Sequence, residues 1–174
     1  MRMPAPSPIA STARPAMDEA RFRIAAIELD EASVVVPSRE IEQEREIAIY
    51  DLLEGNRFEP IGSPGGPYKL ILSTSEGRLV FDIRLEDGAE HGRIMLSLTP
   101  LRRIIKDYFL VCESYFKAIR TAPPSQIEAL DMGRRGLHDE GSKLLQERLE
   151  GKIGLDFNTA RRLFTLISVL HLKG

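Results

Sequence analysis

The sequence has no tryptophan, a single cysteine and few aromatic residues, 6% in all. A lone cysteine excludes an intramolecular disulfide and the all-cysteine zinc sites, and it fits a reducing compartment. An excess of charge of one sign is also missing. The formal net charge is −2, so no global field draws the chain onto nucleic acid or an anionic membrane. No apolar run reaches the roughly 18 residues needed to span a bilayer; the longest candidate, Leu163 to Leu172, is interrupted by Thr165, Ser168 and His171. The opening MRMPAPSPIASTARPAM lacks the apolar core of a secretory signal, and its prolines and small residues predict a disordered tail over 1–20. Met17 is an equally good start. The expected location is cytoplasmic, with no membrane partner.

Motifs of common chemistries are absent as well. There is no GxSxG, HExxH or CxxC. Gly62-Ser63-Pro64-Gly65-Gly66-Pro67 lacks the Gly-Lys-Ser/Thr ending of a phosphate loop and precedes a strand rather than a helix. Its prolines also remove amide donors, so it reads as a rigid connection.

What is present suits one folded domain over 21–174: 174 residues, 43% hydrophobic and 29% charged. Phe22 to Leu29 reads as a strand ending at the turn-prone 30–33. Ser38 caps a helix to about Glu54, with Ile41, Ala48, Ile49, Leu52 and Leu53 on one face and Gly55-Asn56 as its stop. After a Gly/Pro-rich loop from Arg57 to Pro67, Tyr68 to Ser73, Arg78 to Leu85 and Arg93 to Leu98 form an antiparallel meander. Thr99-Pro100 starts a long helix with Thr99 as its cap, and an apolar stripe from Leu101 through Tyr108, Cys112 and Ile119 makes it the expected core helix. Pro123-Pro124 ends it, and Ser125 is the expected cap of a helix from Gln126 to Glu150. Lys152 to Leu155 reads as a short connector, after which Asp156 or Asn158 caps a last helix. The fold class is therefore α+β: a small antiparallel sheet covered by about four helices.

Charge is divided between the helices. The first carries Arg39 and Arg45 against six acidic residues, while the last carries Arg161, Arg162 and Lys173 with no acid after Asp156. Such helices are expected to meet each other within the domain.

The candidate ligand residues lie in Gly133 to Gly141, where Arg134, Arg135, His138 and Asp139 stand between glycines on a helical pattern. Each glycine costs a helix interior about 1 kcal/mol relative to alanine. One reading is close packing at Gly133, Gly136 and Gly141, with Arg135 and Asp139 as an outward i,i+4 pair. The other places Arg134 and His138 together to clamp a phosphate or carboxylate. Packing is favoured, because exposed ion pairs on helices are common and weak. No second histidine stands at ligand spacing, so neither a metal nor a cofactor is expected. His91 reads as a solvated turn residue, His171 as a helix-end residue, and Cys112 as a small buried hydrophobe. Arg102, Arg103 and Lys106 form a basic edge that Arg120, Arg134, Arg135, Arg161 and Arg162 could extend in space. Nucleic-acid binding is disfavoured by the net charge and the lack of interleaved aromatics.

The runs Glu44 to Leu53, Gly65 to Tyr68, Arg78 to Asp82, Met132 to His138 and Leu155 to Leu166 resemble uncharacterised protein family 0262 of alphaproteobacteria. The resemblance covers Arg21 to the C-terminus. It implies a bacterial cytoplasmic setting and carries over no activity, cofactor or site residue. The leading functional expectation is thus a non-catalytic interaction or regulatory protein, with Leu163, Phe164, Ile167 and Leu170 serving either the core or a homo-oligomer surface. The alternatives are an enzyme or sensor of a small anionic metabolite at Arg134 and His138, and RNA or DNA binding along the basic helical face.

Overall fold

The computed structural model describes residues 21–30 and 38–172. The expected tail and the stretch 31–37, with the predicted turn and Val34 to Val36, lie outside the described residues. In chain order the elements are β1 (Ile24–Leu29), α1 (Arg39–Glu54), β2 (Phe58–Pro60), β3 (Tyr68–Ser75), β4 (Arg78–Leu85), β5 (Glu90–Ser97), α2 (Thr99–Thr121), α3 (Pro124–Leu149), β6 (Ile153–Leu155) and α4 (Phe157–Leu172). The α+β class expected from the sequence is what forms.

Strands β3, β4 and β5 build the antiparallel meander, with Leu70 opposite Ile83 and Leu72 opposite Phe81. All four of these side chains are buried, as the period-two pattern requires. β1 joins the same sheet beside β3 but runs parallel to it, Ile27 facing Leu70. The sheet is therefore not antiparallel throughout: the chain leaves β1 through α1 and re-enters the sheet in the same direction, a crossover no hairpin can make. The β3–β4 turn pairs Ser75 with Arg78 and places Glu76 at φ 51° and Gly77 at φ 75°. Two positive φ angles are the signature of a type I′ turn, which asparagine followed by glycine suits best. Glu76→Asn is expected to stabilise the protein by up to about 1 kcal/mol, readable as a higher denaturant midpoint at unchanged m-value.

Two stretches that read as connections are strands. β2 and β6 pair antiparallel, Phe58 with Leu155 and Pro60 with Ile153. Three residues are too few to display periodicity, yet Phe58 and Ile153 are buried.

Ser38 caps α1 as expected, its Oγ accepting from the Ile41 N–H at 3.3 Å. Asn56 does more than stop the helix. Its amide donates to the carbonyls of Leu52 (2.8 Å) and Ile24 (3.0 Å), and its Oδ1 accepts from the Ile24 N–H at 2.7 Å. One side chain thus ties the end of α1 to the start of β1. Asp156 caps α4 through the Thr159 N–H at 2.9 Å. Two expected caps are displaced. Thr99 is itself helical, and the Leu98 carbonyl accepts the first helical bonds from Leu101 and Arg102. Pro123, not Ser125, flanks α3, because Pro124 suits the first helical position.

The core helix is α4 rather than α2. Leu163, Phe164, Leu166, Ile167, Val169 and Leu170 are all buried, and α4 packs against α1, α3 and β3. Apolar side chains cover most of its circumference, so it is enclosed except along the side that carries Arg161, Arg162 and Thr165. Leu163, Phe164, Ile167 and Leu170 therefore belong to the interior and supply no oligomer surface. On α2 the stripe holds through Leu101, Ile105, Tyr108 and Cys112, but Ile119 is half exposed. Acidic α1 meets basic α4, with Arg162 Nε 3.8 Å from Asp51 Oδ2. Among the described residues no helix is long and apolar enough to cross a membrane.

Candidate functional site

Where α1, α3 and α4 converge over Tyr108 of α2, they leave a cleft of about 640 Å³. Arg134, Arg135, His138 and Asp139 all line it, so the sequence candidates do come together. The fold adds groups from elsewhere: Glu44 and Asp51 from α1, and Arg161, Arg162 and Thr165 from α4. Residues three and four apart share a helix face, so each helix presents its own set along one wall.

His138 is half-buried in the wall of the cleft. Its ring packs edge-on to Tyr108 (5.3 Å between centroids) and Phe164 (5.2 Å). Nε2 lies 2.7 Å from Thr165 Oγ1, and the Thr165 hydroxyl donates in turn to the Arg161 carbonyl at 3.3 Å. With that proton committed, the network assigns the Nε2–H tautomer and leaves Nδ1 an acceptor. Nδ1 is buried with no hydrogen-bond partner. Burial, and then the Arg161 guanidinium, push the imidazole down to about 4, so it is neutral at pH 7.

The charged groups pair loosely across the cleft. Arg161 Nε is 3.6 Å from Asp139 Oδ1, and Arg134 Nη1 is 3.9 Å from Glu44 Oε2. These are Coulombic contacts beyond hydrogen-bond length. The Nε atoms of Arg134 and Arg161 are buried and make no hydrogen bond. Arg134 is held by a 2.6 Å bond to Asp131 and lies 4.7 Å over the Tyr115 ring. That bond is the main reason the Asp131 carboxyl sits below its usual range. Beneath the cleft, the Tyr108 hydroxyl donates to Glu44 Oε1 at 3.2 Å. Burial raises the carboxyl of Glu44, opposed by Arg134 and Tyr108, and it raises the Tyr108 hydroxyl further. Cys112 is buried as expected, and burial pushes its thiol up to about 11.

The packing expectation for the glycine segment holds at one position. A Cβ on Gly141 would collide with the Phe164 ring, whereas Gly136 has open space and Gly133 only an ordinary contact with Val111. The expected Arg135–Asp139 pair does not form. Arg135 turns to Asp131 at 2.8 Å, which serves both neighbouring arginines, and Asp139 faces Arg161.

The remaining cations do not gather on one face. Arg102, Arg103 and Lys106 are exposed on the first turns of α2, outside the cleft. Arg120, five turns further along, lies 3.4 Å from Glu40. Arg134, Arg161 and Arg162 line the cleft among carboxylates. His91 is not a solvated turn residue: it is in β5, its Nε2 2.7 Å from Ser63 Oγ, which also bonds the Tyr68 hydroxyl at 2.6 Å. This network ties the Gly/Pro-rich loop to the sheet. His171 stands beside Arg102, and burial and then that charge lower its pKa.

Glu44, Asp51, Tyr108 and Thr165 escaped the sequence reading as site residues. The only signal was the opposite charge of the first and last helices.

Residues 21–173 match the family described as Uncharacterised protein family (UPF0262). The chain belongs to UPF0262. It is 61% identical over 160 residues to the UPF0262 protein of Nitrobacter winogradskyi, spanning 92% of this chain and 96% of that protein. A UPF0262 protein of Xanthobacter autotrophicus is 62% identical over 153 residues, 87% of this chain and 93% of its own length. One from Rhodopseudomonas palustris is 60% identical over 160 residues, 92% and 98% respectively. These UPF0262 relatives are alphaproteobacterial, and their names state no activity. No solved structure matches the UPF0262 chain.

Proposed function

We propose that this UPF0262 chain is a cytoplasmic, non-catalytic regulatory protein whose cleft binds a small anionic metabolite. The observation that carries the reading is the convergence of Arg134, Arg161 and Arg162 with a neutral His138 in one cleft, where the buried Nε donors of Arg134 and Arg161 have no hydrogen-bond acceptor. Buried polar atoms without partners are rare in folded proteins, and a bound group would supply what they lack. Guanidiniums suit phosphate or carboxylate, which they can take bidentately.

Binding rather than catalysis is favoured by the proton affinities. A general acid or base works best with a pKa near the operating pH, and His138 at about 4 is far below it. Cys112, buried and pushed up to about 11, offers no thiolate at neutral pH.

The test is mass spectrometry of small molecules that co-purify with the protein from its native host, compared with an Arg161→Ala/Arg162→Ala variant. The expected result is a phosphate- or carboxylate-bearing compound retained by the wild type and at least tenfold depleted in the variant, a difference of about 1.4 kcal/mol. Equal retention by both proteins, or no retained anion together with no thermal shift in millimolar phosphates and carboxylates, overturns the reading.

A further inference from the structure

The acidic groups of the cleft are as well placed as the basic ones. Asp51, on α1, and Asp139, on α3, both line it. Each faces an α4 arginine at 3.8 Å and 3.6 Å, and neither carboxylate makes a hydrogen bond among the described residues. Glu44 is different, since the Tyr108 hydroxyl already donates to it. A third acceptor is the lone pair of His138 Nδ1, left without a donor by the Nε2–H tautomer.

A simple anion entering this cleft would satisfy Arg161 and Arg162 but would leave Asp51 and Asp139 facing it, each having lost part of its counter-charge. Like charges held together in a partly desolvated site repel, and unpaired acceptors gain nothing from an anion. A ligand that carries an ammonium or similar N–H cation beside its anion replaces both loose pairs at once. Its anion goes to the guanidiniums, and its cation to Asp51, Asp139 or the imidazole lone pair.

We infer that the cleft of α1, α3 and α4 takes a bipolar small molecule, an amine-bearing phosphate or carboxylate, with Arg161 and Arg162 on its anion and Asp51 and Asp139 on its cation. This rests on the anion-binding reading above and adds the amine to it.

The test uses the full chain at neutral pH and two matched pairs of probes, titrated calorimetrically: phosphoethanolamine against ethyl phosphate, and β-alanine against propionate. The expected result is at least tenfold tighter binding of the amine-bearing member in one pair. Asp51→Asn and Asp139→Asn, half-exposed isosteric changes, are expected to erase that preference, weakening the amine-bearing probe while the amine-free probe, relieved of the repulsion, binds at least as tightly as to the wild type. The pair that responds tells phosphate from carboxylate. Equal affinities within both pairs overturn the bipolar assignment and leave anion binding standing. A preference that survives in both variants also overturns it. No binding of any of the four probes overturns both readings.

Discussion

Gly141→Ala is expected to cost the fold about 2 kcal/mol although it replaces glycine by the best helix former. The added Cβ would run into the Phe164 ring and would lie 2.8 Å from its Cε2 atom. Phe164 is completely buried and packs against Tyr108 and His138, so it has no room to retreat. Overpacking costs typically about 1–3 kcal/mol, and a clash with a ring that cannot retreat lies at the upper end of that range; a gain of about 1 kcal/mol in helix propensity leaves a net cost of about 2 kcal/mol. Gly136 lies in the same helix with nothing within 4 Å of a Cβ. Gly136→Ala should therefore show the propensity gain alone, about 1 kcal/mol of stabilisation. In a chain of this size the paired changes correspond to a fall of about 4–8 °C and a rise of about 2–4 °C in Tm. Thermal unfolding of the two variants side by side checks both signs. Adding Phe164→Leu to Gly141→Ala should recover part of the loss, since the clash is with the ring. A Gly141→Ala protein as stable as the wild type would mean that the two helices are not in contact as described.

Removing the titration of His138 should flatten the acid limb of the stability profile. An unfolded histidine titrates near 6.5, whereas His138 is held at about 4, first by burial and then by the facing charge of Arg161, with Arg134 and Arg162 adding to it and Asp139 opposing. Between those pH values only the unfolded chain takes up the proton. Its proton uptake favours unfolding, so stability falls as pH drops from about 6.5 to about 4 and changes no further from this group below that. At about 1.4 kcal/mol per tenfold change in proton affinity, the full effect would exceed 3 kcal/mol; the part of the ring that meets solvent reduces it to about 2–3 kcal/mol. Urea unfolding at pH 7.5, 5.5 and 4.5 for the wild type and His138→Gln reads the difference, with the carboxylates cancelling between the two proteins. The wild type should lose about 2 kcal/mol more than the variant over this range. Parallel profiles would mean that His138 is solvated.

Some of the site was legible because it lies within one helix. Arg134 and His138 share a face of α3 by their four-residue spacing alone, and their union in a cleft follows from it. Arg135 and Asp139 have the same spacing but did not pair, because Asp131 was equally near and already oriented by Arg134. Local spacing lists possible partners; it does not choose among them.

What the sequence by itself determined is local. The meander, the caps at Ser38 and Asp156, and the helical spans follow from alternation, hydroxyl or carboxylate caps, and glycine and proline stops that act within a few residues. The tertiary structure alone decided that α4 is the enclosed helix, that β1 runs parallel to β3, and that β2 and β6 are strands rather than connections. It also decided that Glu44, Asp51, Arg161 and Thr165 stand around His138. Those are relations between segments far apart in the chain, settled by which apolar faces can be buried together, and short-range patterns carry no record of that choice.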